Sequence, residues 1–154
     1  FIHDQFEDRY ISTLGAKVSK KEITVKSPAG AGEIAIDMTI WDIMGEKGFR
    51  ELLKEAYFHG AQGVLAVCDI TRKDTLNELH DWIAAVHKVT GQIPIQFLAN
   101  KADLVKQAAM SEDDMKKVAD VHKSPFLYTS AKNGQNVEAG FQSLASMIAA
   151  KSAK

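Results

Sequence analysis

Two short apolar runs constrain this chain more than any other feature of its sequence. Gly63-Val64-Leu65-Ala66-Val67-Cys68 and the stretch from Ile93 to Ala99 lack alternation and are too short for ordinary helices. Such runs mark strands buried on both faces. Between them Leu76, Leu79, Ile83 and Val86 recur at helical spacing, Asp74 stands where a cap belongs, and Gly91 then Pro94 stop the pattern. Apolar strand, amphipathic helix and apolar strand make a crossover unit, and crossover units build parallel sheets. A second unit follows. Ser111 with Asp114 resembles a capping box with Asp in place of Glu or Gln. Pro125 leads into a short strand at Phe126-Leu127-Tyr128, and Val137, Phe141, Leu144, Ala145 and Ile148 line a closing helix.

The earlier part of the chain reads with a period of two. Ala16 to Lys26 fits a strand, Ser27-Pro28-Ala29-Gly30-Ala31-Gly32 is a turn cluster, and Glu33 to Asp42 fits a second strand. Ile34, Ile36, Met38 and Ile40 alternate, which predicts a hairpin with one face covered. After Gly48, Phe49, Leu52, Leu53 and Ala56 fall at helical spacing. The expectation is an α/β fold, a mostly parallel sheet with helices on both faces and one antiparallel hairpin. With 154 residues, no repeats and no low-complexity tract, one domain spanning 1–154 is predicted.

Composition removes several classes of function. Nineteen basic against twenty acidic side chains leave a net charge of −1, which argues against a nucleic-acid binder working by bulk charge. No apolar run approaches the ~18 residues of a membrane span, and the final Ala-Lys-Ser-Ala-Lys carries no prenylation cysteine. One cysteine, Cys68, makes no internal bridge and points to a reducing, cytoplasmic setting.

In parallel α/β sheets, ligands bind beyond the carboxyl ends of the strands. Three polar motifs fall there. After the second strand comes Trp41-Asp42-Ile43-Met44-Gly45. Asp42 can hold a magnesium ion through its waters, and Gly45 lets a backbone N–H approach a phosphate. After Leu98-Ala99 comes Asn100-Lys101-Ala102-Asp103. Guanine presents adjacent donors on N1 and its 2-amino group, and the Asp103 carboxylate can accept both, whereas adenine offers no such pair. The Asn100 amide can reach N7 and brace neighbouring loops, and the Lys101 stem can lie along the base. After Tyr128 comes Thr129-Ser130-Ala131-Lys132, which can offer the Ala131 N–H to the guanine carbonyl while Lys132 packs on the ring. Each motif alone is weak; their order and position together carry the reading.

These residues resemble the Ras superfamily of small GTPases, and most nearly its Rab-like branch, over essentially the whole chain. Trp41-Asp42 through Phe49-Arg50 is similar to the second switch, Asn100 to Asp103 to the guanine-specificity motif, and Ser130 to Lys132 to the last base loop. Tyr10-Ile11-Ser12-Thr13-Leu14-Gly15 resembles the first switch. The resemblance implies Thr13 and Asp42 as magnesium ligands, Phe6 beside the base, and GTP or GDP with Mg2+ as ligand. It also implies a timed switch: the γ-phosphate and metal order two loops, and hydrolysis releases them. Effector, exchange-factor and activating proteins would read 10–20 and 46–57.

Two departures from the family pattern modify that expectation. The residue after Gly45, a Gln in the family, is Glu46. A carboxylate accepts from the attacking water but cannot donate to the γ-phosphate, so slow hydrolysis is expected. No Gly-x-x-x-x-Gly-Lys-[Ser/Thr] phosphate loop occurs in the chain, and Phe1-Ile2-His3 is similar to the tail of the helix that follows such a loop. The expectation is an N-terminally incomplete domain, lacking the first strand and phosphate loop and binding nucleotide poorly on its own.

Two rival readings stand beside this one. A pseudo-GTPase interaction module would keep the fold and base motifs without hydrolysis. A receiver-type phosphoacceptor domain would use Asp69, at a strand end. The remaining chemistry-bearing residues read as structural. His80 and His87 lie two turns apart, about 10 Å, too far to chelate one ion. Cys68 and Trp82 read as packing, Arg50 and Arg72 as surface contacts, and Lys17, Lys20, Lys21 and Lys26 as a solvated strand edge.

Overall fold

A computed structural model of the chain describes residues 16–30, 32–43 and 56–153. Strand β1 (Ala16–Lys26) pairs antiparallel with β2 (Glu33–Ile43), with Ile23 opposite Ile36 and Val25 opposite Ile34. The turn between them closes through Gly30 N to Ser27 O (3.1 Å) and Ser27 N to Gly32 O (3.0 Å), and Gly30 and Gly32 both take positive φ (92° and 84°), which L side chains avoid. Cross-strand partners share a face, so Ile23 and Val25 turn inward with Ile36, Met38 and Ile40. The alternation read from the sequence sets this register. The strand runs one residue further than expected: Ile43 belongs to β2 because Ala16 still stands opposite it.

The second sheet is parallel. Strand β3 (Val64–Asp69) pairs with β4 (Ile95–Asn100), and β4 pairs with β5 (Phe126–Tyr128). Among the described residues the two sheets are separate, with β3 at one edge of the three-stranded sheet and β4 at its centre. β4 is buried from Ile95 to Ala99, and Gln96, the one polar residue in that run, accepts from the Ser143 hydroxyl.

Helices α1 (Lys73–Thr90) and α2 (Glu112–Val121) cover one face of the parallel sheet. Leu76, Leu79 and Ile83 of α1 and Met115, Val118 and Ala119 of α2 pack on Ala66, Cys68, Ile95, Phe97 and Ala99. Helix α3 (Val137–Ser152) covers the other face and reaches the hairpin, where Phe141, Ala145 and Ala149 meet Ile23 and Val25. Its approach to β4 is close: a Cβ on Gly140 would stand 2.8 Å from Leu98 Cδ2. The expected α/β architecture, with helices on both faces, is the one observed.

Local details refine the reading. Ser111 and Asp114 form a reciprocal capping box. Asp74, expected to cap α1, lies instead in its first turn, and Arg72 occupies the N-cap. The Thr75 hydroxyl does the closing work, accepting from Asp69 N (2.9 Å) and donating to Arg72 O (2.6 Å). Lys21 is more than a solvated edge residue: it pairs with Glu138 at 2.8 Å and lies over the Phe141 ring. It thereby ties β1 to α3. Arg72 makes the surface contact expected, to Asp74 at 2.9 Å. Trp82 packs edge-on to Phe58. The helical spacing read at Phe49, Leu52 and Leu53 lies outside the described residues, and 56–58 are helical.

Candidate nucleotide-binding site

Parallel pairing brings the carboxyl ends of β3, β4 and β5 side by side, with Asp69 opposite Asn100 and Ala99 opposite Tyr128. The loops that leave these ends are therefore neighbours although they are far apart in sequence. Asn100 closes β4 and Lys101 follows in the left-handed region (φ 67°, ψ 35°). That turn sends the chain into a 3-10 helix (Ala102–Gln107), which carries Asp103 in its first turn. Non-glycine residues enter this region at a cost and need surrounding contacts to hold them there. Leu104 N donates to Lys101 O at 2.8 Å and supplies one such contact.

Side chains join the β4 loop to the β5 loop. Asn100 Oδ1 accepts from the Ala131 amide (3.0 Å) and from the Thr129 hydroxyl (3.3 Å). Ser130 Oγ donates to Asp103 Oδ1 at 2.6 Å, a short bond of the kind expected to a charged oxygen. Backbone bonds reinforce the same seam, with Thr129 N donating to Ala99 O and Ala102 N to Thr129 O, both 2.9 Å. Thr129 and Ser130 are buried, and both hydroxyls have partners, as buried polar groups require. Asp103, Lys101 and Lys132 are exposed. The result is a rigid, hydrogen-bonded base under an exposed carboxylate and two exposed lysines.

Four expected site residues, Asn100, Lys101, Asp103 and Ser130, thus meet in one cluster, with Ala131 and Lys132 on the adjoining turn. The Ala131 amide, expected to face a base carbonyl, donates here to Asn100 Oδ1. Asp42 lies apart from this cluster in chain terms, exposed near the end of β2 and opposite Lys17. Phe6, Thr13, Gly45 and Glu46 lie outside the described residues. The metal fit therefore rests on Asp42 alone, a hard oxygen donor suited to a water-mediated contact. Among the described residues no group of three His, Cys, Asp or Glu side chains forms a metal cage.

The sequence did not reveal several contributors. Asp69 Oδ2 meets Lys101 Nζ at 2.6 Å, while its Oδ1 accepts from the Thr71 amide and hydroxyl (2.9 and 2.7 Å). Burial pushes the Asp69 carboxyl up, but Lys101 and Thr71 together outweigh it and hold the group below the usual carboxylate value. Both oxygens of Asp69 are thus engaged in tying the end of β3 to the residues that follow it and to the end of β4. Asn136 donates from Nδ2 to Tyr128 O at 2.8 Å and fastens the end of β5 to the start of α3. The available signal for Asp69 was its place at a strand end, one strand over from Asn100. Cys68 is a buried thiol whose pKa burial, aided by the Asp69 charge, pushes up to about 12, so it is inert as a nucleophile.

This is a parallel α/β protein whose polar loops gather at the carboxyl ends of its strands, the class in which ligands sit at that edge. A family model described as the Ras family matches residues 1–150. Ras-related protein RABD2c of Arabidopsis thaliana is 34% identical over 149 residues, covering 96% of this chain and 70% of that protein. Ras-related protein Rab-37 of Homo sapiens is 32% identical over 137 residues, 88% of this chain and 58% of that protein. GTP-binding protein YPTM2 of Zea mays is 32% identical over 149 residues, 96% and 70%. The chain belongs to the Ras family of small GTPases and is Rab-like within it.

Proposed function

We propose that residues 1–154 are a single small GTPase-like domain and that the full-length protein works as a guanine-nucleotide-binding molecular switch, taking GTP or GDP with Mg2+. One observation carries this reading: the Asn100 amide oxygen and the Ser130–Asp103 bond join the two loops where a purine would be recognised. Asp103, braced through Oδ1, retains acceptor capacity on both carboxylate oxygens for the paired donors of guanine. Lys101 and Lys132 would lie against the faces of the base. Asn100 would hold the platform, with the Ala131 amide shared between Asn100 and the base carbonyl. Phe6 would border the base, and Thr13 and Asp42 would hold the metal, which supplies charge neutralisation at the phosphates. The name of the relative from Zea mays, a GTP-binding protein, supports the ligand class.

Hydrolysis would be slow. Glu46 stands directly after Gly45, and a carboxylate there accepts from water while repelling the γ-phosphate. That residue also favours a second reading, an interaction module that binds nucleotide without turning it over. The two part on one assay, γ-phosphate release by the full-length protein with and without an activating protein. Stimulated release supports the switch, and sustained GTP binding with no release supports the module.

Partners would include effector, exchange-factor and activating proteins. Support comes from the outer face of the hairpin. Val18 and Trp41 stand opposite each other there and are each 49% exposed, and the Tyr57 ring lies 5.6 Å from that of Trp41. Exposed aromatic groups that adjoin one another are the common anchors of protein interfaces. A cytoplasmic setting goes with this reading, given the buried free thiol of Cys68. No helix among the described residues is long and apolar enough to cross a membrane.

The test is equilibrium competition by the full-length protein for a fluorescent guanine nucleotide. GTP and GDP are expected to displace the probe at least about 100-fold better than ATP. Equal displacement by ATP would remove the reading.

A further inference from the structure

The Asp69–Lys101 ion pair joins two strand ends. Asp69 is already fixed. Its amide donates to Thr75 Oγ1, its Oδ1 accepts twice from Thr71, and it stands opposite Asn100 in the β3–β4 register. Its side chain is 15% exposed. Lys101 is the opposite case. Its side chain is 50% exposed and its backbone sits in the left-handed region, between the brace Asn100 and the carboxylate Asp103. A lysine so placed would ordinarily send its ammonium into water along any of many rotamers. Here Nζ is drawn 2.6 Å from Asp69 Oδ2, so the head is anchored at the end of β3 while the backbone leaves the end of β4.

We infer that Asp69 is a positioning residue of the nucleotide site, acting through Lys101 to hold its stem as one wall for the base. This rests on the guanine reading of 100–103 and extends it by one strand. Asp69 touches no ligand itself. It removes the conformational freedom that Lys101 would otherwise lose on each binding event, so its contribution appears in how long a nucleotide stays. The Thr71 hydroxyl contributes one step further out, by fixing the Asp69 carboxylate in the orientation that presents Oδ2 to Lys101.

The probe is the release rate of N-methylanthraniloyl-GDP from the full-length protein. Four forms are compared: parent, Asp69→Asn, Lys101→Met and the double variant. Asp69→Asn is expected to speed release about tenfold, the scale of one charge-assisted hydrogen bond. Lys101→Met is expected to speed it at least as much. In the Lys101→Met background the Asp69 substitution is expected to add nothing, because its route to the nucleotide is gone. The preference for guanosine over xanthosine diphosphate should stay unchanged in Asp69→Asn, since Asp103 is untouched. Should Asp69→Asn fail to fold, Thr71→Val serves in its place, with a smaller acceleration that again vanishes beside Lys101→Met. Additive effects of the two substitutions, or an unchanged release rate in Asp69→Asn, would overturn the inference. A parent that retains no guanine nucleotide would instead overturn the reading beneath it.

Discussion

The loop cluster beyond β4 and β5 and the outer face of the hairpin solve opposite problems. In the cluster, polar groups face one another: Asn100, Thr129, Ser130, Ala131 and Asp103 are linked by bonds of 2.6–3.3 Å, and the buried hydroxyls are satisfied. On the hairpin, apolar groups face solvent: Val18 and Trp41 are half exposed, although Ile23 and Val25 on the opposite face are buried against α3. A network whose members are already in place loses little freedom when a small ligand arrives. Exposed apolar side chains gain most when a partner covers them. On the function proposed above, small-molecule recognition would fall to the loops and protein recognition to the hairpin.

The largest effects should break the first half of that comparison. Asn100→Ala removes the acceptor for both Ala131 N and Thr129 Oγ1 and leaves a part-buried seam unsatisfied. It is expected to cost about 1–3 kcal/mol of folding stability and to weaken guanine nucleotide binding by about 100-fold, measured by denaturant titration and by probe fluorescence. Next come the two faces of the hairpin. Ile23→Ala, 3% exposed, should destabilise by about 2–5 kcal/mol, whereas Trp41→Ala should cost less than about 1 kcal/mol. Comparable losses at the two positions in urea melts would mean that the outer face serves stability rather than partners. Smaller again is the capping box of α2: Ser111→Ala should cost about 1 kcal/mol, read from the same melts.

The smallest expected effect is a dependence on pH. His80 Nδ1 and His122 Nε2 lie 2.9 Å apart where the C-terminal end of α2 meets α1. Burial first, then the charges of His80 and His87, hold His122 below its ordinary imidazole value of 6.5. The folded chain therefore favours the neutral ring. That stability is fully present above the unfolded value and is lost as pH falls below it toward the folded value. Denaturation midpoints should drop as pH falls from above 6.5 to below it, and His122→Gln should flatten that slope. An unchanged slope in the variant would remove His122 as its source.

Much of the fold was legible because it depends on local pattern. The alternation through Ile34, Ile36, Met38 and Ile40 sets the hairpin register, the mainly apolar runs within Val64–Asp69 and Ile95–Asn100 mark the parallel strands, and Ser111 with Asp114 marks the start of α2. The cluster of Asn100, Lys101, Asp103 and Ser130 was legible for a different reason: parallel topology brings strand ends together whatever lies between them. What escaped were pairings that topology permits without specifying. Lys101 with Asp69, His80 with His122 and Lys21 with Glu138 each join separate elements, and each depends on side-chain direction that sequence spacing does not encode. Asp74 escaped because two residues could close the start of α1, and the Thr75 hydroxyl reaches both Asp69 N and Arg72 O.

Asp103 is the group proposed to select the base. The most direct measurement is the affinity of the full-length protein and of its Asp103→Asn variant for guanosine and xanthosine diphosphates. An amide offers a donor where the carboxylate offered an acceptor, so it suits the oxygen that xanthine carries in place of the 2-amino group. The expected result is an inversion of preference by about 100-fold or more, with Asn100 and Ser130 left in place. An Asp103→Asn variant that still prefers guanosine as strongly as its parent would contradict the account.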